Sequence, residues 1–400
     1  MPPTRRDWLQ LPLLAPLAVS AAPAQRRRPR LAAIVTSYYF YSHADVILGR
    51  LMAGCSPNGK WHANRCDVVS LYVHQIHERD MSADLAARNG FTIYDSIEKA
   101  MTLGGSSLAV DGVVFVGEHG NFPNNDVGQK MYPRYELFMQ ILDVYEKNRR
   151  SLPTFFDKHL SYSWPKAKEM YERARKLRVP WFAGSSIPLS VRVPHVVPPM
   201  NTKFDQAVSL GYGDLDAYGF HTLESLQCMV ERRAGGETGL RQVETLTGDA
   251  VWNFLDQGWN PLIQAAYAAC PQKSQAPLRE LVKKPVLYSL TYRDGLRGAS
   301  VLLNGAISDW AFAGSAGGQI MACKYGPPGK ARPLPHFDGL AHNIEELFLT
   351  GRPPYPVERT VLTTGALAYL FDSLRSGKPV PTDDLDIRYR PADPPYVQTA

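Results

Sequence analysis

Six short apolar runs, the first five each followed by a stretch with helical spacing, constrain this chain more than any other feature between residues 31 and 186. The runs fall at 31–36, 67–73, 91–94, 110–117, 154–157 and 179–183. Helical spacing lies between them at 45–52, 82–88, 96–101, 134–147 and 165–177, and Asn89-Gly90 supplies a stop signal. Short strands that alternate with helices imply a parallel sheet with right-handed crossovers. The expected fold class is therefore α/β, with a Rossmann-like doubly wound sheet over residues 31–186.

After residue 187 the texture changes. Prolines at 194, 198 and 199 mark a crossing, and longer β-like runs follow at 204–210, 240–246, 286–292 and 300–304. Helices are expected near 218–232 and 357–374. Residues 187–378 read as an α+β domain with an open, mainly antiparallel sheet, and 379–400 as a proline-rich tail. Four hundred residues suffice for two cores.

The N-terminus reads as a targeting segment. Thr4-Arg5-Arg6-Asp7-Trp8-Leu9-Gln10 resembles a twin-arginine signature, an apolar stretch follows, and Ala22-Pro23-Ala24 offers a cleavage site. Residues 1–24 are thus expected to be a signal peptide. The twin-arginine export machinery is then a partner, and the destination is periplasmic or secreted. The apolar stretch falls short of the roughly 20 residues that span a bilayer. The first thirty residues also hold five of the six net positive charges. The body is nearly neutral, which excludes a basic nucleic-acid footprint. Five cysteines show no metal-like spacing. Cys55 and Cys66 are the pair that export would allow to join; the other reading is five buried thiols.

In an open parallel sheet, ligands bind beyond the carboxyl ends of the strands. The run at 110–117 ends in Glu118-His119-Gly120-Asn121, and that at 154–157 leads into Lys158-His159. A half-desolvated lysine there can donate or shuttle a proton. A second constellation lies on the helix near 218–232, where His221 and Glu224 share a face. An imidazole held by a carboxylate is a general base near neutrality. No metal is the first reading; His119, His221 and Glu224 are the alternative ligand set. The turn at 231–239 reads as a helix end, with Arg232 and Arg233 opposing the dipole.

These residues resemble the Gfo/Idh/MocA family, named for glucose–fructose oxidoreductase, inositol dehydrogenase and rhizopine-catabolism proteins. The likeness spans most of residues 31–378 and rests on four places. Asp157-Lys158 stands where the family usually has Glu-Lys-Pro, and Gly219-Phe220-His221-Thr222-Leu223-Glu224 is similar to its Asp-x-Gly-x-His-x-x-Asp helix. Arg192 sits at the crossing, and Pro356-Val357-Glu358-Arg359-Thr360 opens a helix like the family's closing one. The resemblance implies NAD(P) as cofactor and a sugar or cyclitol as substrate. It implies Lys158 orienting the substrate hydroxyl, His221 as base with Glu224 beside it, and Arg192 and His159 near the substrate. It also implies a homo-oligomer.

The chain departs from that pattern in its phosphate loop. Thr36-Ser37-Tyr38-Tyr39-Phe40-Tyr41-Ser42-His43 contains no glycine, where Gly-x-Gly-x-x-Gly lets backbone close on a pyrophosphate. Thr36, Ser37 and Ser42 offer hydroxyls to phosphate instead, with Glu118 and His119 at the neighbouring strand end. The acidic residue that would hold the ribose is replaced by Val73-His74-Gln75. Three functions follow: an NAD(P)-dependent oxidoreductase on a sugar or cyclitol hydroxyl; a non-redox, metal-assisted lyase or hydrolase on the same scaffold; and a sugar-binding protein that stacks rings on Tyr38, Tyr39, Phe40 and Tyr41.

Overall fold

The computed structural model describes residues 27–271, 274–326 and 334–396, so the leader assigned to residues 1–24 lies outside the described residues. The six apolar runs become β1 (Arg30–Val35), β2 (Asp67–Val73), β3 (Thr92–Ile93), β4 (Gly112–Val116), β5 (Thr154–Asp157) and β6 (Trp181–Gly184). They form one parallel sheet in the order β3-β2-β1-β4-β5-β6. The order reverses between β1 and β4, which places the ligand crevice at their carboxyl ends.

Helices α1 (His43–Ala53), α2 (Ser82–Asn89), α3 (Ile97–Thr102), α4 (Arg134–Asn148) and α5 (Trp164–Lys176) are the crossovers. Ser42 caps α1 by accepting from Asp45 N, and Ser96 caps α3 by accepting from Lys99 N. Side chains of β1 alternate between two cores. Leu31, Ala33 and Val35 pack with Ile47 and Leu51 of α1, while Ala32 and Ile34 pack with Phe138 and Ile141 of α4. Each fully buried side chain of this size contributes roughly 1.5–3 kcal/mol.

The second sheet contains β7 (Arg192–Val193), β8 (Phe204–Gly211), β9 (Leu240–Thr247), β10 (Val286–Tyr292), β11 (Arg297–Leu302), β12 (Trp310–Ala316), β13 (Gln319–Tyr325) and β14 (Val380–Pro381). Its order is β14-β9-β10-β11-β8-β12-β13-β7, antiparallel except for the β11–β8 pair. The strand expected at 300–304 starts earlier, at Arg297. The β12–β13 hairpin was not foreseen. Its turn residues Gly317 and Gly318 both have positive φ, as a tight hairpin requires.

One face of this sheet packs on α6 (Ala217–Val230). The other is covered by α7 (Asp249–Leu255) and α8 (Asn260–Ala269), with α9 (Leu278–Leu281) at the margin. There Val251, Leu255, Ile263 and Ala266 meet Val208, Leu210, Val301 and Ala311. The chain then returns to the first sheet. Helix α10 (His336–Thr350) inserts Phe337, Leu340, Ile344, Leu347 and Phe348 into the core that holds β1 and α1. Arg50 of α1 pairs with Asp338 of α10 at 2.6 Å. Helix α11 (Glu358–Ser376) joins the α6 side of the second sheet. All five cysteines are free and buried, so Cys55 and Cys66 are unpaired.

Candidate active site

A cleft of about 580 Å³ opens at the carboxyl ends of β4 and β5 and reaches the start of α6. Glu118, His119 and Lys158 line it from the first sheet, and Asp214, Asp216, Tyr218 and His221 from the α6 side. His43 and His336, at the starts of α1 and α10, line it too. Two strand ends aim their side chains through unusual backbone. His119 and Lys158 each have φ 71°, the left-handed region that non-glycine residues rarely adopt. Lys158 is held there by its N–H donating to Gly184 O at 3.1 Å. Such backbone costs on the order of 1–2 kcal/mol, which the surrounding packing offsets.

The two residues on which the sequence reading centred meet. Lys158 Nζ lies 2.6 Å from His221 Nε2, and both residues are buried. An ammonium only donates, so Nε2 accepts and the imidazole proton sits on Nδ1, which has no partner among the described residues. Burial and then the Lys158 charge hold His221 well below the usual imidazole range, so the ring is neutral. Behind them sits a charged layer. Arg134 donates to Glu118 Oε2, to Gly117 O at 2.8 Å and toward His159 Nε2 at 2.8 Å. Burial alone would raise the Glu118 carboxyl. Lys158, Arg134 and two histidines outweigh it and hold the group well below the carboxylate range. His119 falls to about 4, through burial and the charge of His43, and His43 Nδ1 meets Asp157 Oδ2 at 2.6 Å.

Other expected residues are placed differently. Glu224 does not hold His221. Its Oε2 accepts from Ser185 N at 2.8 Å and its Oε1 from Thr360 and Thr363 at 3.2 and 3.3 Å, fastening β6 and α11 to α6. The alternative metal set His119, His221 and Glu224 therefore does not converge. Helix α6 is buried around most of its circumference, so a shared face did not mean a shared partner. Arg192 lies off the cleft, donating to Val196 O and Pro188 O, because the crossing turns its guanidinium back on its own segment. His159 is also behind the cleft, accepting from Arg134. Arg233 and Glu237 pair with each other, and Glu231 pairs with Arg359, in a separate buried network.

Sequence reasoning missed Asp216. Asp214 Oδ1 accepts from the N–H groups of Asp216 and Ala217 at the start of α6, which fixes this turn. Asp216 Oδ2 accepts from Lys130 N, while Oδ1 is buried without a hydrogen-bond partner among the described residues and stands 3.4 Å from His159 Nε2. That nitrogen already accepts from Arg134, so the contact is not an ion pair. Burial, only partly opposed by Arg134, raises the Asp216 carboxyl to about 7. The cleft also has an aromatic wall, in which Tyr218 stacks on Trp310 at 5.6 Å beside Tyr212.

The loop between β1 and α1 does not fit a dinucleotide. Tyr38 is fully buried in the core of the first sheet and fills the turn. The Thr36 hydroxyl donates to Glu118 O and that of Ser37 to Gln75 O, while Ser42 Oγ accepts from Tyr39 N and Asp45 N. None of the three is placed to receive phosphate. Asp45 adds a carboxylate to the first turn of α1, where a diphosphate would need positive potential. Tyr39 stacks on His77, and Gln75 bridges to Asn121, so the loops after β1, β2 and β4 are tied together over the strand ends. Of the four loop aromatics expected to stack on sugar, only Tyr41 lines the cleft.

No protein-family model and no curated protein matches the sequence. Solved structures do match. GenD2 from gentamicin A biosynthesis, in complex with NAD, superposes with TM-score 0.56 at 12% identity, over 90% of this chain and 99% of its own. Myo-inositol dehydrogenase from Lactobacillus casei, with NAD(H) and myo-inositol, gives 0.57 at 10% identity, over 89% and 97%. The chain shares the Gfo/Idh/MocA fold. A super-repressor mutant of Gal80p from Saccharomyces cerevisiae gives 0.55 at 11% identity, over 90% and 99%, so the same fold also serves a repressor. At these identities the likeness establishes architecture and leaves function to the site.

Proposed function

We propose that the chain is an enzyme that moves protons at a carbon next to a carbonyl on a carbohydrate or cyclitol ring. The observation that carries this reading is the Lys158–His221 contact in a cleft that Asp216 also lines. The Asp216 carboxylate takes the proton from carbon, and the electron pair moves onto the carbonyl oxygen. The Lys158 ammonium, held by His221 Nε2, is the donor for that oxygen. When Lys158 protonates that oxygen and takes back the proton of the hydroxyl on the deprotonated carbon, return of the Asp216 proton to the former carbonyl carbon completes an isomerisation. When instead a group on the next carbon leaves with its electron pair and takes the Asp216 proton, a double bond forms and a lyase reaction is complete. A carboxyl near 7 suits both directions of transfer at neutral pH. Tyr218 and Trp310 offer an apolar wall to the C–H face of the ring.

A second reading, a sugar or cyclitol dehydrogenase, is favoured by the two NAD-bound neighbours and by the order of the Lys158 and His221 segments. It requires NAD(P), whose hydride chemistry this chain's phosphate loop does not support, and no step is assigned through it. Twin-arginine export to the periplasm or beyond is part of the proposal, on the composition of residues 4–24.

One experiment separates the readings. Wild type, Lys158→Ala and Asp216→Asn are incubated in D2O with an inosose and with fructose, and deuterium uptake next to the carbonyl is followed by NMR. Uptake in wild type that both variants lose is expected. Equal uptake in all three refutes the acid–base assignment. Saturable, one-to-one quenching of NADH fluorescence by wild type restores the dehydrogenase reading.

A further inference from the structure

On the far side of α10 lies a group of side chains that the cleft does not use. His342 and Glu345 are three residues apart on α10 and share a face. His62 reaches them from the segment between α1 and β2. One ligand atom from each lies within 4.8 Å of the other two, and no other three His, Cys, Asp or Glu residues converge this way among the described residues.

The details suit a cation. Glu345 is 2% exposed, and a buried carboxylate needs compensation. Its Oε1 accepts from Arg65 N at 2.7 Å, which fixes the carboxylate and leaves Oε2 facing His62 Nε2 at 2.9 Å. The Arg65 guanidinium donates most closely to Glu346, at 2.6 Å, and makes two longer bonds to Glu345 Oε2, from Nε and Nη2 at 3.4 Å each, which an ion at this oxygen would replace. His342 Nδ1 is buried with no hydrogen-bond partner among the described residues. An orphaned buried nitrogen beside a carboxylate and a second imidazole calls for a ligand. Two imidazoles and one carboxylate oxygen are the donor set of zinc, with a fourth position left for water.

We propose that His62, His342 and Glu345 bind one zinc ion and thereby clasp the segment before β2 to α10. The Arg65 N–H, by orienting the carboxylate from behind, is the positioning group of that site. The first residues of α10, His336 and Phe337, line the cleft, so the ion would steady the cleft from outside it. The clasp is independent of the acid–base reading.

The full chain is stripped with EDTA, dialysed and titrated with zinc sulfate by calorimetry, and its thermal melting is followed with and without the metal. One zinc per chain and a higher Tm with zinc are expected. His342→Gln should weaken binding at least about tenfold with an unchanged far-UV spectrum, while Lys158→Ala should bind zinc as wild type does. No zinc uptake, or uptake that His342→Gln leaves unchanged, overturns the proposal. His62→Gln, whose ring is partly exposed, gives a second measurement of the same two outcomes without disturbing α10.

Discussion

Asp216→Asn should make the protein more stable at pH 8 while abolishing its chemistry. An aspartate ordinarily titrates near 3.8, and burial raises Asp216 to about 7 despite Arg134 and the Lys130 N–H. At 1.36 kcal/mol per pKa unit, the native state carries an ionisation cost on the order of 4 kcal/mol above neutrality. Water in the cleft lowers this to roughly 2–4 kcal/mol. The sign follows from proton binding. The folded protein holds this proton more tightly than the unfolded chain. The resulting stability is full below pH 3.8 and is lost as pH rises through about 7. Asparagine does not titrate, and its amide oxygen still accepts from Lys130 N. Urea unfolding of both proteins at pH 4 and pH 8 measures the effect. The curves should nearly coincide at pH 4, and the variant should be more stable by roughly 2–4 kcal/mol at pH 8, with equal m-values. A variant no more stable at pH 8, or a gap that does not change with pH, would refute the reasoning.

Removing the ammonium in Lys158→Ala should raise the His221 pKa, since that charge is the second cause of its depression; NMR titration of the imidazole carbons reads the shift. Arg134→Met strips the direct partner from a buried Glu118 and leaves Gly117 O bare, so urea unfolding should show a loss of about 3–5 kcal/mol at neutral pH. That loss should shrink as acid protonates Glu118. Gly184 ends β6 at φ 127°, and an added Cβ would lie 2.6 Å from the Tyr355 hydroxyl and 2.8 Å from Glu224 Oε2. Gly184→Ala should therefore destabilise by roughly 2 kcal/mol or more, read as a lower Tm.

The first sheet was legible because its strands are compact β-branched and aromatic runs with sharp ends. Residues 67–73 and 154–157, and in the second sheet 286–292, were bounded to the residue. The β12–β13 hairpin escaped because β12 is rich in alanine and glycine, which lack a β signature, and β13 mixes Gln, Met, Cys and Lys with few β-branched residues, although Gly317-Gly318 was a usable turn signal. Helix α10 carries clear spacing at Phe337, Leu340, Ile344 and Leu347, but nothing local says that it docks on strands some three hundred residues earlier. At the site, the strand-end rule found Lys158, Glu118 and His119, and helix spacing found His221. The same spacing misdirected Glu224, whose partners come from β6 and α11. The role proposed for Asp216 rests on its burial and on an oxygen without a partner among the described residues, and neither is written in residue order.

The return of α10 sets the schedule of assembly. Until residue 350 has been made, one flank of the first sheet waits with the strip that Phe337, Leu340 and Ile344 later cover still open to solvent. A ribosome-bound chain halted after the second sheet should thus bind holdases and resist proteolysis poorly in its N-terminal half. Among the described residues, the two lobes are also joined by chain passages at 184–192 and 350–358, so any swing of one lobe strains both together. A substrate consequently meets a mouth whose width was set when the last thread was drawn.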